Sequence, residues 1–176
     1  VILLSDKHIG ESNYTFDEKD FSVRVKPQRF ILKEVPKDYK NYKITENGVS
    51  PRAVPGQTEI SVRATSYEHD ENGITTEEGE WVVKMNDKRW KKFEFLKKEI
   101  KNFEPLSLYG EGENLIVSWG SPKGAILDAL SEIENWSFLQ INYLCPFPEK
   151  EFTEIVKNKK RIVLVENNVT GLLGRV

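Results

Sequence analysis

Apolar and polar residues alternate, over the last seventy residues of the chain, in blocks that predict strands and helices in turn. The run Leu115–Trp119, broken only by Ser118, is typical of a short strand buried on both faces. Just after it, Ser121 is placed to cap a helix and Pro122 suits the first helical turn. A strand that passes at once into a helix is the repeating unit of an α/β sheet.

Three further blocks continue this pattern to the end of the chain. Phe138–Leu144 predicts a strand, Glu149–Val156 a short helix, and Arg161–Val165 another apolar strand. Residues 106–176 thus predict the order strand, strand, helix, strand, helix, strand and the beginning of a helix. The predicted fold class is α/β, with a mostly parallel sheet and flanking helices.

The first sixty residues differ from the rest in composition and in their pattern of apolar residues. The apolar run 1–6 predicts the last strand of a preceding domain, so the chain is expected to be a fragment of a longer protein. Residues 7–59 are polar and rich in proline and glycine, with only two short alternating pieces at 21–25 and 29–33. Such a segment predicts a long extended arm that gains order by lying on another surface, in this chain or in a partner.

A domain is predicted to begin after the arm and to cover residues 60–176. Ile60–Thr65 alternates as a one-sided strand does. The sequence Thr75–Glu78 then has the form of a capping box, which predicts a helix over 78–103. Its buried stripe is predicted from apolar residues at helical spacing, which are Trp81, Met85, Phe93, Leu96, Ile100 and Phe103.

Composition narrows the classes of function. The 26 basic and 28 acidic residues give a net charge of −2, which offers no reason to expect nucleic acid or a membrane surface as partner. No apolar run approaches the roughly 18 residues of a membrane span. We therefore expect a soluble, cytoplasmic protein. A lone cysteine, Cys145, rules out an intrachain disulfide and a thiolate cluster within this chain, and its place at a strand end favours a buried structural thiol over a nucleophile.

Three segments carry side chains with possible chemistry. The turn 120–124 enters a helix and could present backbone N–H groups to a phosphate, although Pro122 removes one of them and a plain capped helix start is the simpler interpretation. The segment 67–73 groups Glu68, His69 and Asp70, which suit proton transfer or a divalent ion. Its simpler interpretation is a turn held by side-chain bonds to backbone, with His69 at an interface.

The third segment is 48–56, where two prolines and two glycines fix an irregular path. It presents Arg52 as a guanidinium fork for a carboxylate or phosphate, or for an acidic side chain across a domain junction. None of the three segments makes a complete active site.

Six sequence motifs run in order along the chain: GVSPRAVPG, YEHDENGITTEE, KMNDKRWKK, LIVSWGSPKGAI, LQINYLCPFP and VENNVTGLLGR. In this order and approximate spacing they resemble the α subunit of 2-oxoacid:ferredoxin oxidoreductases. The resemblance covers nearly the whole chain. It implies that residues 60–176 form a domain like the C-terminal domain of transketolase, truncated at its end, and that residues 1–6 close a pyrimidine-binding-like domain.

The resemblance also implies an activity and its partners. Enzymes of this family decarboxylate a 2-oxoacid oxidatively on thiamine diphosphate, release an acyl-coenzyme A and reduce ferredoxin through iron–sulfur clusters. Thiamine diphosphate, magnesium and the clusters are expected mainly on other subunits, with no cofactor bound by this chain alone. The expected partners are a β subunit that binds thiamine diphosphate, γ and δ subunits, ferredoxin and coenzyme A, in a homodimer of protomers.

In this interpretation the chain serves assembly and is inactive alone, because the family's substrate loops are expected upstream of Val1. The residues expected nearest the active site or a subunit interface are Ser50, Pro51, Arg52, Glu68, His69 and Asp70. The alternative interpretation is a stand-alone doubly wound module that binds a nucleotide or flavin at its strand ends.

Overall fold

The computed structural model describes residues 6–21, 30–57 and 61–175. Their contacts divide the chain into two compact units, which we call the sheet unit (residues 1–16 and 100–176) and the helix unit (residues 17–99). The strand predicted at 1–6 falls almost wholly outside the described residues, as does most of the alternating piece at 21–25. The boundaries predicted at 6 and 59 do not coincide with these units and remain predictions.

A four-stranded sheet forms the centre of the sheet unit. Its strands are β1 (Leu106–Tyr109), β2 (Asn114–Trp119), β3 (Trp136–Ile141) and β4 (Arg161–Leu164), in the spatial order β1-β3-β2-β4. Strand β2 runs parallel to both β3 and β4, whereas β1 is antiparallel to β3. This confirms the predicted fold class of a mostly parallel α/β sheet.

Strand β2 is buried on both faces, as its uninterrupted apolar run predicted. On one face Leu115 and Val117 pack with Leu139, Ile141 and Leu173. On the other face Ile116 packs with Ile126 and Phe138. The two apolar clusters explain why a strand in this position has almost no polar side chains, since neither face meets water.

The sheet unit also contains a short helix, α1 (Lys7–Glu11), and two longer helices flank the sheet. Helix α3 spans Lys123–Leu130 and α4 spans Glu149–Val156, the latter with the predicted bounds. The predicted cap of α3 by Ser121 is wrong, because Pro122 precedes the helix in a helical conformation and no side chain caps it. The Ser121 hydroxyl accepts a hydrogen bond from Asn167 Nδ2 instead, at 3.2 Å.

Exposure in the sheet unit follows the position of each element. Strand β4 is the predicted apolar strand, yet Ile162 and Leu164 are 49% and 38% exposed, because β4 is the edge of the sheet. The prediction of a buried thiol at Cys145 is wrong, because this residue is exposed. It lies in the loop between β3 and α4, beyond the part of the strand that the sheet covers.

The helix unit is built around α2 (Gly79–Glu99), which a short 3-10 turn at Ile100–Asn102 follows. This agrees with the predicted helix over 78–103. The capping box does not form as predicted, because Glu78 N donates its hydrogen bond to Thr76 Oγ1, at 3.1 Å, and not to Thr75.

The predicted buried stripe of the helix is only partly confirmed. Met85 is 1% exposed, but Leu96 and Phe103 are 42% and 57% exposed. The loop that packs on α2 does so at Lys88 and Lys92, upstream of these residues. A periodic pattern gives the apolar face of a helix, but not how far along the helix a neighbouring segment covers that face.

Irregular backbone makes up the rest of the helix unit. The strand predicted at 60–65 is wrong for the described residues 61–65, which have no strand structure; the carbonyl of Arg63 accepts a hydrogen bond from the Asn41 side chain. Residues 30–57 are irregular, and the strand-type backbone pairing described there is one isolated bridge between Ile31 and Arg52. The arm over residues 7–59 stays a prediction. Among the described residues, no helix combines the length and apolarity needed to cross a membrane.

Candidate functional site

The carboxyl ends of β2 and β4 enclose a crevice in the sheet unit. After β2 the chain passes to α3 on the face of Ile116, whereas after β4 it passes to the turn Leu172–Arg175, whose Leu173 packs on the opposite face. Neighbouring parallel strands whose connections leave to opposite faces open a crevice between them, and ligands of doubly wound proteins bind in such crevices.

This crevice has a volume of about 700 Å³, and its charged lining residues are two carboxylates, Asp6 and Glu166. Its wall is made of Trp119, Gly120, Ser121 and Pro122 after β2, Glu166, Asn167 and Asn168 after β4, and Asp6 and Ile9 from the start of the chain. Glu166 Oε2 accepts a hydrogen bond from Leu173 N at 3.0 Å, which fixes the carboxylate at the wall.

The lining does not favour the phosphate site considered for the turn 120–124. Among the described wall residues there are two carboxylates and no lysine, arginine or histidine. Proline at 122 has no N–H to offer, and a phosphate would meet the charges of Asp6 and Glu166. Sequence reasoning did not propose Glu166, Asn167 and Asn168 as site residues, although a polar run directly after a parallel strand was the signal for them.

The segment with Ser50, Pro51 and Arg52 lies in the helix unit, where side chains of the preceding segment tie its backbone. Ser50 Oγ donates to Lys43 O at 2.9 Å, and the buried hydroxyl of Tyr39 accepts from Ala53 N at 3.0 Å. Arg52 N in turn donates to Phe30 O at 2.9 Å. The Arg52 side chain is exposed and has no ion pair among the described residues.

The segment with Glu68, His69 and Asp70 also lies in the helix unit and forms a turn. Asp70 Oδ1 accepts hydrogen bonds from Asn72 N at 2.8 Å and Ile74 N at 2.9 Å. The buried His69 stacks on Tyr42 with ring centroids 3.6 Å apart, and its Nδ1 lies 3.0 Å from Asp70 O. This is the turn that the simpler interpretation predicted, in which the Asp70 carboxylate accepts hydrogen bonds from the backbone.

Glu68 is held by α2. Arg89 approaches it with both terminal nitrogens, and Nη1 donates to Glu68 Oε1 at 3.2 Å. The hydrogen bond from Arg89 is the main cause that lowers the pKa of Glu68 below its usual 4.5. A carboxylate with a lowered pKa and a bidentate arginine is a poor proton acceptor near neutral pH, so the site does not favour proton transfer at Glu68.

The pKa values of the neighbouring carboxylates shift in the same direction. Burial acts to raise the pKa of Asp70, but backbone N–H donors led by Ile74 outweigh it and lower the pKa below 3.8. Burial likewise acts to raise the pKa of Glu71, and the Lys40 ammonium, 2.6 Å away, with the Ile44 N–H, lowers it below 4.5.

The segments around Ser50–Arg52 and Glu68–Asp70 therefore lie in one unit. They are joined through residues 39–44, which contact both, and not by direct bonds to each other. Residues 39–44 contact Ser50 and Ala53 on one side, and His69 and Glu71 on the other. Over the described ranges no three His, Cys, Asp or Glu side chains are grouped so that they could hold a metal ion. The arrangement supports a rigid, charged surface more than a reaction centre.

A second, open groove in the helix unit runs between residues 45–47 and α2. Its volume is about 850 Å³, and its wall includes Trp90 and Phe95 among acidic and basic side chains. Trp90 is 65% exposed. An indole so exposed on a long charged helix is a feature typical of contact surfaces.

Comparison with known proteins gives relatives along the whole chain. The chain is 35% identical over 185 residues to the α subunit of the 2-oxoacid:ferredoxin oxidoreductase of Saccharolobus solfataricus, with 100% of the chain and 29% of the relative covered. It is 34% identical to subunit α of 2-oxoacid:ferredoxin oxidoreductase 1 of Sulfurisphaera tokodaii, covering 96% of the chain and 27% of the relative. Subunit α of enzyme 2 of Aeropyrum pernix is 33% identical, with 99% and 28% covered.

The chain thus spans less than a third of the length of these curated relatives. No protein-family model matches it. Among solved structures, the 2-oxoglutarate:ferredoxin oxidoreductase from Magnetococcus marinus, determined with 2-oxoglutarate, coenzyme A and succinyl-CoA bound, is similar with a TM-score of 0.66. That likeness covers 81% of this chain and 26% of the other at 24% identity, so it shows a shared fold.

Proposed function

The chain belongs to the family of 2-oxoacid:ferredoxin oxidoreductase α subunits, and from this we propose that the protein containing it is the α subunit of an enzyme that decarboxylates a 2-oxoacid on thiamine diphosphate. In the proposed reaction the acyl group passes to coenzyme A and the electrons pass to ferredoxin. The observation that carries the proposal is the 33–35% identity, which extends over 96–100% of the chain.

The donor chemistry of this chain does not fit the cofactors of that reaction. A four-iron cluster needs four thiolates, and the sequence has one cysteine. A magnesium–diphosphate group needs converging oxygen ligands and N–H donors, whereas the crevice of the sheet unit offers two carboxylates and a proline-interrupted turn. This supports the proposal that other parts of the complex bind thiamine diphosphate, magnesium and the clusters.

The proposed role of this segment is assembly. Large apolar side chains are exposed in both units, including Val83 and Trp90 on α2 and Leu108, Ile162 and Leu172 in the sheet unit. Apolar surface of this kind is stabilised when another protein covers it. The proposed partners are the β, γ and δ subunits, in a cytoplasmic homodimer of protomers that uses ferredoxin and coenzyme A.

The segments around Ser50–Arg52 and Glu68–Asp70 are proposed to lie at a subunit interface close to the active site. What supports this is their rigidity: each is fixed by buried or charge-assisted hydrogen bonds, so the exposed Arg52 guanidinium is presented from a preorganised backbone. No catalytic role follows for the carboxylates of Glu68 and Asp70, since their oxygens are bonded within the helix unit.

The test uses the full-length protein, coexpressed with the products of neighbouring genes. Purified complex is assayed for coenzyme A-dependent reduction of a viologen dye with pyruvate, 2-oxoglutarate and branched-chain 2-oxoacids in turn. We expect reduction with at least one acid, and loss of reduction when the β subunit is left out. A complex with bound thiamine diphosphate and intact clusters that reduces the dye with none of these acids would contradict the proposed activity.

The crevice supports a second candidate, a doubly wound module that binds a nucleotide or flavin at its strand ends. The position of the crevice at the carboxyl ends of β2 and β4 favours this candidate. Its two carboxylates, however, would repel the phosphates of such a ligand. The two proposals separate in a thermal unfolding assay: added AMP or FMN raises the melting temperature of the purified chain only if the crevice binds them.

A further inference from the structure

Helix α2 carries a stripe of four charged side chains on the face opposite its buried side. Met85, which is 1% exposed, marks the buried side, and the stripe begins two positions later, about 160° around the helix. Its members follow at spacings of four, three and four residues, so they share one face. All four are exposed and line the open groove beside α2; they are Asp87, Lys91, Glu94 and Lys98.

Most charges of this stripe have no partner within the described part of the chain. Alternating charges at such spacings commonly pair along their own helix. Here Glu94 binds a lysine outside the stripe, Lys97, at 2.9 Å and on the solvent side. Asp87, Lys91 and Lys98 have no ion pair over the described ranges. Three of the four charges are therefore available to groups of another chain.

The stripe is complementary to a reversed copy of itself. From its N-terminal end the charges run negative, positive, negative, positive, and from its C-terminal end they run positive, negative, positive, negative. Reversal also leaves the spacing unchanged. In an antiparallel pair of α2 helices with a two-fold axis between positions 92 and 93, Asp87 therefore lies level with the partner's Lys98, and Lys91 lies level with the partner's Glu94. Every acid of the stripe then meets a base.

Two exposed aromatic side chains flank the stripe with the same symmetry. Trp90 and Phe95 also line the groove and are 65% and 38% exposed. Being five positions apart, they lie about 140° apart around the helix, one on each side of the stripe, and their midpoint again falls between positions 92 and 93. In the antiparallel pair each ring is about 7.5 Å along the axis from its counterpart in the other copy. The contact thus adds apolar area to the charge pairs, and tryptophan is enriched in such contacts.

We propose that this face of α2 is a contact between two copies of the chain, packed antiparallel about a two-fold axis. A two-fold contact uses the same surface on both subunits and therefore requires a surface that is complementary to itself. About three turns of one helix bury less area than the roughly 1,200 Å² of a stable interface, so the contact is one part of a larger interface in the full-length protein. The inference rests on the proposed function in one respect, because it names a surface by which two protomers of the proposed complex meet.

The test uses the full-length protein in its purified complex and a carbodiimide, which condenses a carboxylate with a lysine amine that it contacts. Asp87 and Lys98 lie eleven positions apart on one helix, about 16 Å along its axis, which their side chains cannot bridge within one chain. A cross-linked Asp87–Lys98 peptide can therefore form only between two copies. We expect mass spectrometry to find this peptide. Glu80 and Lys84, in contact at 2.5 Å on the same helix, are the positive control for the reagent.

A charge swap tests the register of the two helices. Lys91→Glu sets like charges opposite each other at two places in the two-fold pair, so we expect the dissociation constant of the two copies to rise about tenfold or more. Adding Glu94→Lys restores opposite signs and is expected to return the dissociation constant to within about threefold of the wild-type value. Lys37→Glu makes the same charge change at an exposed residue outside α2 and is the control. Sedimentation velocity at several protein concentrations gives the dissociation constants.

Three results would overturn the inference. The first is the absence of the Asp87–Lys98 peptide while the control pair is coupled, and the second is coupling of these two residues to a different subunit instead. The third is a charge-swapped protein that associates no more tightly than Lys91→Glu alone. None of these measurements needs turnover. A complex that reduces a viologen dye with a 2-oxoacid but lacks the cross-link refutes only the contact, whereas a cross-linked complex that reduces the dye with no acid refutes only the proposed activity.

Discussion

Gly48 packs so closely on helix α2 that a Cβ at position 48 would lie 2.5 Å from Lys92 N and still closer to Lys88 O. Its φ of +73° is also one that residues with a side chain rarely adopt. Both facts have the same structural consequence, because only a glycine lets the loop at 48 rest directly on the helix backbone. This contact is one of those that join the irregular segment 30–57 to α2.

Gly48→Ala is expected to destabilise the protein strongly. The left-handed φ alone costs about 1–2 kcal/mol for alanine, and displacement of the loop from the α2 backbone adds to it, for a total of about 3 kcal/mol or more. The control is Gly56→Ala, where φ is +85° but nothing lies within 4 Å, so only the first cost applies. Urea denaturation measures both variants, and equal losses of unfolding free energy would contradict the close-packing argument.

The ion pair of Lys40 with Glu71 is expected to make stability depend on pH. The pKa of Glu71 is lowered below 4.5 in the folded protein, so its ionised form stabilises the fold fully above that value. This contribution is lost as the pH falls through the lower pKa of the folded state. The pKa of Lys40 is raised above 10.5, so its contribution is complete below that pH and is lost above it.

Glu71→Gln tests this dependence. We expect the substitution to lower the unfolding free energy at pH 7 by about 1 kcal/mol, because charge-assisted bonds to Lys40 and Ile44 N are weakened while one partner remains partly exposed. Below pH 4 the difference between the two proteins should shrink, since wild-type Glu71 is then increasingly protonated. Urea titrations at pH 7, 5 and 3.5 give the comparison, and a difference that stays constant with pH would contradict the assignment.

The sheet unit could be predicted from sequence because each of its elements follows a local rule. The run around β2 is apolar on both faces, and Pro148 marks the beginning of α4, so the strand–helix order is visible in a single chain. The exposure of β4 was not predictable in this way. Whether an apolar strand is central or at the edge is decided by the order of strands in space, which the local pattern does not contain.

The helix unit and the candidate crevice were less predictable for a related reason. The hydrogen bonds from Asn41 to Arg63 and from Arg89 to Glu68 join residues about twenty positions apart. No periodic pattern in the sequence predicts such bonds. The crevice depends on Trp119 and Glu166 meeting across two parallel strands. The turn after β2 could be proposed as a candidate from sequence alone, but its acidic surroundings come from residues that only the fold places there.

Arg52 is expected to affect assembly and not folding. Its side chain is exposed and unpaired in the described part of the chain, so Arg52→Gln should change the unfolding free energy by less than about 0.5 kcal/mol. If the guanidinium meets a carboxylate of another subunit, the dissociation constant should rise about tenfold or more. Arg63→Gln, at another exposed arginine of the helix unit, is the matched control. Native mass spectrometry of the complex compares the dissociation constants of the two variants. Equal dissociation constants would contradict the interface role of Arg52.

Trp90→Ser probes the groove beside α2 in the same way. Trp90 is 65% exposed and touches Phe93 edge to face, so its loss should cost the isolated fold no more than about 1 kcal/mol. A covered tryptophan in a subunit contact typically contributes about 2 kcal/mol, which corresponds to about a 30-fold weaker association. Sedimentation of the complex at several concentrations measures this, with Lys84→Ser, on α2 but outside the groove, as control. Unchanged association would show that this groove is not covered in the complex.

Ser118 and Ser137 give an internally matched test of the sheet core. Both are fully buried, on the neighbouring strands β2 and β3. Ser137 Oγ donates to Asn114 O at 3.1 Å and accepts from Lys159 Nζ at 2.9 Å, whereas Ser118 Oγ has no partner among the described residues. The buried hydroxyl is therefore hydrogen-bonded at position 137 and has no hydrogen-bond partner among the described residues at position 118.

The two alanine substitutions should differ in sign or in size. Ser137→Ala removes one partner of a buried network and leaves Lys159 and Asn114 O with a lost bond, so we expect a loss of about 1–2 kcal/mol. Ser118→Ala removes a buried hydroxyl that gains nothing from the fold, so stability should stay the same or rise by up to about 1 kcal/mol. Urea denaturation of both variants gives the comparison. A loss at Ser118 as large as that at Ser137 would mean that its hydroxyl is bonded in the native protein to a group outside the described residues.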